Sequence, residues 1–171
     1  QWSDDDGEWV LLGFDAVHGR SPEIPWRRAD LEAVLQTVDA LSHAKPRPGC
    51  PLPLTADLLA DEFTGWCRLR SSSWDVRAEF AATGGPLASW ALDHLDDLTG
   101  WEQGALDRVA GDGIVHGDLR ADNVMIDADG RVWFIDWLHA SIGASWLDLA
   151  FLLPSVAAQG GGDPAAIFAE H

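Results

Sequence analysis

A short stretch in the second half of the chain carries side chains that together could do chemistry. In "HGDLRADNVMI" the polar residues include His116, Asp118, Arg120 and Asn123, and Asp136 follows in "WFIDW". Asn and Asp oxygens are ligands suited to Mg²⁺, which takes one or two protein groups together with phosphates and water. A carboxylate such as Asp118, placed beside that pair, can accept a proton from an attacking hydroxyl. The residue types and their spacing therefore fit phosphoryl transfer.

A β-hairpin is the element that must bring these residues together. Apolar runs at 124–126 and 131–135 predict two strands, and "DADG" between them is a tight-turn sequence. Because a hairpin folds back on itself, Asn123 and Asp136 should flank the same end of it. Asp118 should lie close by, on the loop that leads into the first strand.

Helices are predicted over much of the remaining chain. Apolar residues at helical spacing predict them at 28–42, from Thr55 as an N-cap toward Phe63, from Pro86 with Leu87 on the apolar face toward Val109, and at 146–153. The run "EWVLLGF" predicts a buried strand near the start, and 113–116 a further strand. The glycine and prolines of "HGRSPEIPW" predict irregular structure, and the segment after Asp136 a loop. This order of elements indicates an α+β chain.

The stretch "HGDLRADNVMI", followed by "WFIDW", resembles the aminoglycoside phosphotransferase family, kinase-like small-molecule phosphotransferases that include choline kinases. The resemblance implies that Asp118 is the catalytic base, that Asn123 and Asp136 bind Mg²⁺, and that ATP is the phosphoryl donor. The acceptor would be a hydroxyl of a small molecule, such as an aminoglycoside or a metabolite. "WLDLA" resembles the helix start behind the family's catalytic loop, which implies a structural role for Asp148.

The start of the chain resembles the strand and linker between the two lobes of that family. "WVLLGFDAVHGRSP" carries this likeness, which implies that adenine meets the backbone of Leu11, Leu12, Gly13 and Phe14. The implied fold class is α+β and protein-kinase-like, mostly the helical large lobe with its catalytic hairpin. Residues 1–20 would be the end of a small lobe and the linker, and residues 21–171 a large-lobe phosphotransferase domain truncated at its C-terminus.

Two elements of the family's small lobe are missing from this sequence. Lys45 is the only lysine and lies between prolines in "HAKPRPG", with no helix bearing a partner glutamate after it. The sequence has neither a GxGxxG loop nor a GxxxxGK[ST] loop. We therefore expect a fragment without most of the small lobe. Because phosphoryl transfer depends almost wholly on positioning and electrostatics, we expect little or no activity from these 171 residues alone.

Arg120 and His116 each allow a structural reading. Arg120 follows Asp118 at the spacing where many protein kinases carry a lysine directed at the transferring phosphate. One hypothesis places Arg120 at the γ-phosphate as a catalytic residue, and the other makes it a loop arginine paired with Asp122. His116, beside an apolar strand, is predicted to be structural rather than a proton carrier.

Composition bounds the partners and the location. A net charge of −17 with only 11 Lys and Arg residues argues against nucleic acid. No apolar stretch approaches the roughly 20 residues of a membrane span, and the start has no secretory pattern, so a cytoplasmic location is expected. The acidity is either a solubility feature or a means of steering a cationic acceptor. The sequence leaves the identity of the acceptor and the oligomeric state open.

Two other classes of protein remain as alternatives. A pseudokinase, or a module that binds nucleotides or small molecules, would keep the fold without transfer activity. A metal-dependent oxygenase would use His116 and Asp118 with a distant His139 or His171. The oxygenase reading leaves the amide and carboxylate of the hairpin unexplained, and it expects a β-barrel rather than a helix-rich chain.

Overall fold

The computed structural model describes residues 2–171 and shows a mixed α and β chain. The helices are α1 (Arg28–Ser42), α2 (Thr55–Leu59), α3 (Gly65–Ser71), α4 (Trp74–Thr83), α5 (Pro86–Asp93), α6 (Leu95–Gln103), α7 (Ala105–Val109), α8 (Leu147–Ala158) and α9 (Pro164–Glu170). The strands are β1 (Trp2–Asp5), β2 (Val10–Gly13), β3 (Gly19–Arg20), β4 (Gly113–Val115), β5 (Val124–Asp127), β6 (Val132–Phe134) and β7 (Ser141–Gly143). Within residues 2–171, no helix has the length and apolar character needed to cross a membrane.

The strands form three small antiparallel sheets. One holds β1 and β2, a second has the order β3-β5-β6, and a third holds β4 and β7. In the second sheet, Gly19 lies opposite Asp127 at close range. A Cβ at Gly19 would lie 2.7 Å from the carbonyl oxygen of Ile126, so only glycine permits this approach of β3 to β5.

The chain divides into two compact units, and the first comprises residues 2–39, 118–137 and 149–171. Its core joins one face of α1, the inner side chains of β5 and one face of α8. The buried members include Leu31, Val34, Leu35, Val38, Leu119, Val124, Ile126, Leu149, Leu152, Leu153 and Val156. The helical spacing of the α1 members explains why that helix forms and which face it buries.

The second unit comprises residues 40–117 and 138–148. The β4–β7 pair packs here with α2 and α7 around Val109, Val115, Ala144 and Leu147. Glu102 on α6 accepts hydrogen bonds from the backbone nitrogens of Trp66 (2.9 Å) and Cys67 (2.7 Å). A carboxylate therefore satisfies the first free N–H groups of α3, which no local residue caps.

The predicted α1 and the predicted hairpin are both confirmed, α1 with the expected bounds. The helical region from Pro86 toward Val109 is confirmed, but it is three helices rather than one, because the chain breaks at His94 and Gly104 between α5, α6 and α7. Leu87 lies exposed rather than on the buried face. Thr55 is the first residue of α2 and not its N-cap; its hydroxyl instead bonds the buried Ser141 hydroxyl at 2.7 Å.

Three strand predictions also need correction. The strand β2 exists, but Leu12 is 61% exposed, because within residues 2–171 its only paired strand is β1. The segments predicted as irregular around Gly19 and as a loop after Asp136 contain β3 and β7. Both are short strands whose partners, β5 and β4, lie far away in sequence, so no local pattern marks them.

An ion pair near the start of α1 should make the stability of the first unit depend on pH. Arg20 donates two hydrogen bonds to the buried Asp30, at 2.7 and 2.8 Å. The Arg20 guanidinium holds the pKa of the Asp30 carboxyl below its ordinary value. Because the folded-state pKa is lowered, the pair stabilises the protein above the ordinary Asp pKa, and this contribution disappears as the pH falls through the lowered value.

Urea unfolding of wild type and Asp30→Asn over a pH series measures this contribution. The difference in free energy of unfolding should be largest near neutral pH and should shrink in acid. Glu32→Gln, which removes the partner of an exposed pair with Arg28, serves as the control. A difference for Asp30→Asn that does not change with pH would contradict the assignment.

Candidate active site

The loop that carries Asp118 is anchored in the core by every second residue, Leu119 and Ala121. Leu119 is fully buried and Ala121 is 6% exposed, and both belong to the core of the first unit. Between them Arg120 is exposed, whereas the side chain of Asp118 is 33% exposed. The apolar anchors hold the backbone, so Asp118 is fixed in position while its carboxylate still reaches solvent.

Asn123 bridges to Asp118 with its side-chain amide. Its Nδ2 donates to the backbone oxygen of Asp118 at 2.8 Å and to the carboxylate Oδ2 at 3.1 Å. Both partners are acceptors, so the nitrogen must face them and Oδ1 must point away. Asn123 is 6% exposed, so its amide nitrogen holds Asp118 from a buried position, and Oδ1 takes no part in these two bonds.

The hairpin brings Asp136 to the same end as Asn123. Val124 pairs with Phe134, and the backbone nitrogen of Ile135 donates to the oxygen of Asn123 at 3.0 Å, so Asp136 directly follows the last bonded position. Asp136 is exposed and has φ of +62°, the left-handed region that residues other than glycine seldom occupy. Such backbone strain is often found at functional sites, and here it turns the chain sharply after β6.

Arg120 lies between two carboxylates of the loop. Its Nη2 donates to Asp122 Oδ2 at 3.0 Å, and its Nε is 3.7 Å from Asp118 Oδ1. The pairing with Asp122 is the one expected of a loop-stabilising arginine. The guanidinium is also close enough to Asp118 to influence a group bound there.

In the second unit, Asp148 fixes the backbone of the two residues that precede Asp118 in sequence. Its carboxylate accepts hydrogen bonds from the nitrogens of His116 (2.8 Å) and Gly117 (3.0 Å). Burial raises the pKa of the Asp148 carboxyl, and these two N–H groups offset part of that rise. Both of these hydrogen bonds come from backbone groups, which fits the structural role implied by the resemblance.

Gly117 is a residue that sequence reasoning did not single out. It has φ of +82°, and a Cβ there would lie 2.6 Å from the carbonyl oxygen of His139. The signal in the sequence was the glycine directly before Asp118. Only glycine satisfies both the dihedral angle and the close approach.

Removing the Asp148 carboxylate should destabilise the protein. In Asp148→Ala the buried N–H of His116 and that of Gly117 lose their acceptor, which should lower the free energy of unfolding by about 2–4 kcal/mol. Asp148→Asn keeps the shape but offers one oxygen to two donors, so it should lie between wild type and alanine. Denaturant unfolding checks this, with the exposed Asp129→Ala as the control; equal stability of the two alanine variants would rule out the role.

The four residues expected to meet adenine lie on and just after β2. Leu11, Leu12 and Gly13 pair with Asp4, Ser3 and Trp2 of β1, and Phe14 follows the strand. Among residues 2–171 the other edge of β2 pairs with no strand. Leu11, Leu12 and Phe14 are exposed, so this segment lies at the protein surface.

The donor set suits Mg²⁺ better than a metal held by protein ligands alone. Residues 2–171 hold no group of three or more His, Cys, Asp or Glu side chains arranged to bind a metal ion. The oxygenase alternative thus finds no ligand set in that part of the chain. An amide oxygen and a carboxylate, as in Asn123 and Asp136, match the one or two protein ligands that Mg²⁺ takes when phosphates complete its shell.

The fold and this site together describe a mixed α and β protein with a loop-borne carboxylate beside an Asn–Asp hairpin. In a comparison with protein-family models, residues 3–171 match the phosphotransferase enzyme family (APH). The chain therefore belongs to that family, which confirms the resemblance carried by the "HGDLRADNVMI" stretch. A comparison with curated proteins found no match. Membership supports phosphotransfer in general, and kinases of this family generally use ATP and Mg²⁺.

Proposed function

We propose that the protein transfers the γ-phosphoryl group of ATP to a hydroxyl of a small molecule. The observation that carries this proposal is the position of Asn123. Its amide orients Asp118, and its backbone bonds the residue before Asp136. The proposed proton acceptor and the two proposed metal ligands therefore belong to one loop and hairpin.

Asp118 acts as the general base. The hydroxyl oxygen of the acceptor forms a bond to the γ-phosphorus, the bond from that phosphorus to the β-phosphate oxygen breaks, and ADP leaves. The hydroxyl proton passes to Asp118. Asn123 keeps the carboxylate in place by binding Oδ2, which leaves Oδ1 facing the side where Arg120 lies.

Asn123 and Asp136 are the residues that would hold Mg²⁺. The ion would supply charge neutralisation on the phosphates of ATP. The chemistry of the donor set supports this assignment, because Asn123 has an amide oxygen to spare and Asp136 is an exposed carboxylate.

Two further contacts with ATP belong to the proposal. The open edge of β2 and the following residue, from Leu11 to Phe14, would meet adenine. Arg120 would touch the γ-phosphate, exchanging Asp122 for a more highly charged partner. Unchanged turnover in Arg120→Ala would instead assign the guanidinium to stabilising the loop.

A module that binds nucleotides without transferring phosphate is the second candidate. It is favoured by the position of Lys45, the only lysine in the chain, whose Nζ pairs with Asp112 at 2.5 Å in the second unit. Lys45 and its partner both belong to the second unit, whereas the proposed catalytic and metal-binding residues belong to the first. We therefore expect these 171 residues alone to turn over ATP slowly, if at all.

Phosphate transfer is tested with the protein expressed from its complete reading frame, using γ-labelled ATP and a panel of hydroxyl compounds. Label on an acceptor that appears only with Mg²⁺ supports transfer. Binding of Mg·ATP without label on any acceptor supports the binding module. A protein that neither binds Mg·ATP nor transfers label would overturn both.

A further inference from the structure

A cleft of about 400 Å³ opens in the first unit next to the catalytic loop. One wall is the stretch Arg120–Asp122, which lies between the proposed base and the proposed metal ligand in sequence. The other lining residues come from the segment before α1, with Ser21, from α8, with Ser155, and from the turn after α8, with Gln159. Its volume falls within the range of small-molecule sites.

The hydrogen-bonding groups of this cleft include both donors and acceptors. Gln159 Oε1 accepts from the indole nitrogen of Trp26 at 3.0 Å, so its Nε2 remains as a donor. Ser155 Oγ donates to the backbone oxygen of Leu152 at 2.9 Å, which leaves its lone pairs as acceptors. A ligand hydroxyl can both donate and accept, so it can satisfy either kind of group.

Apolar surface lies beside these polar groups. Pro22 and Ile24 line the cleft, and Ile24 is 52% exposed although it is large and apolar. Ala121, which is buried in the core, lines it from the loop side. A ligand with C–H surface next to its hydroxyls would cover this area and gain from its burial.

The charge of the cleft is balanced. Arg120 and Asp122 are its two charged residues, and they pair with each other at 3.0 Å. The chain as a whole has a net charge of −17, but the charges of this cleft cancel. The cleft itself therefore does not favour a polycation. Specificity for a polycation would need several unpaired carboxylates, and Asp122 is the one carboxylate of this lining.

We propose that this cleft binds the acceptor and that the acceptor is a neutral polyol, such as a sugar or a cyclitol. The proposal rests on the phosphotransferase function above and gives its acceptor class. Arg120 links the cleft to the reaction, because it lines the cleft and its Nε is 3.7 Å from Asp118 Oδ1. A hydroxyl at that end of the cleft would lie close to the proposed base.

NMR chemical-shift mapping on the ¹⁵N-labelled chain tests the cleft without requiring turnover. Glucose and myo-inositol are the neutral probes, and glucosamine and kanamycin the cationic ones, all at millimolar concentration. The neutral probes should shift the amides of Ser21, Ala121, Ser155 and Gln159. Ser155→Ala should weaken this binding by roughly fivefold, the loss of about one hydrogen bond.

Ser71→Ala is the matched control, because Ser71 also donates its hydroxyl to a helix carbonyl, that of Cys67, but lies on α3. It should leave the binding of both neutral probes unchanged. Shifts outside the cleft, an equal response in both serine variants, or stronger binding of the cationic probes would each overturn the proposal.

Failure of the proposed function would be seen differently. Mg·ATP should shift the amides of Asn123 and Asp136, and the neutral probes those of the cleft. Absence of the first response with presence of the second would count against phosphotransfer and leave the polyol cleft standing. The reverse pattern would keep phosphotransfer and reject the cleft as the acceptor site.

Discussion

Asp118→Asn is expected to lower kcat for phosphoryl transfer by about 10²- to 10⁴-fold, because an amide cannot take the proton of the acceptor hydroxyl. The loop should keep its conformation, since Leu119 anchors it in the core and Asn123 still bonds the backbone oxygen at position 118. The KM for Mg·ATP should change little. The measurement is steady-state turnover of the protein from its complete reading frame, with circular dichroism to check the fold.

Asp129→Asn is the control for that substitution. Asp129 lies exposed at the turn of the same hairpin, at the end opposite to Asn123, and the change removes the same charge. It should leave kcat unchanged. Equal rates for wild type and Asp118→Asn would rule out Asp118 as the base. An equal loss of kcat in Asp118→Asn and Asp129→Asn would mean that the change in net charge causes the effect.

Asp136→Asn should raise the Mg²⁺ concentration needed for half-maximal turnover by on the order of 10- to 100-fold. Losses of metal affinity of this size are already seen when a residue that only supports a metal ligand is replaced. Asparagine is the informative replacement because Asp136 has φ of +62°. Asn tolerates the left-handed region, so the substitution removes the negative charge without the backbone strain that alanine would add.

Binding of Mn²⁺ in the presence of ATP, followed by water-proton relaxation, measures the metal affinity independently of turnover. The expected result is weaker binding in Asp136→Asn, with wild-type affinity in Asp129→Asn. If Mn²⁺ binds equally well in all three proteins, Asp136 does not hold the metal. Turnover as a function of Mg²⁺ concentration should show the same order of variants.

The elements that could be predicted from the sequence are those whose signals are local. The α1 helix follows from Leu31, Val34, Leu35 and Val38, which recur at the helical period and do form its buried face. The hairpin follows from two short apolar runs around a tight turn. The position of Asn123 and Asp136 at the same end of the hairpin then follows from its geometry. These features need only neighbouring residues.

The elements that were missed depend on distant partners. β7 has no strand signal of its own, but Val115 pairs with Ser141, and Gly19 lies opposite Asp127. The exposure of β2 could not be read from its apolar residues either, because burial depends on which other elements cover a strand. Local propensity is a weak guide wherever tertiary pairing decides the structure.

The sequence by itself determined the family resemblance, the choice of Asp118, Asn123 and Asp136 as candidate site residues, and the loop and hairpin that carry them. All of these depend on residue types at short spacing. Only the tertiary structure decided which atoms meet. It bonded the Asn123 amide to Asp118, bonded the Asp148 carboxylate to the nitrogens of His116 and Gly117, and set Ser155 and Gln159 beside the loop 120–122. Contacts between residues far apart in sequence form only when packing of the whole core closes the intervening chain, and no local pattern records that outcome.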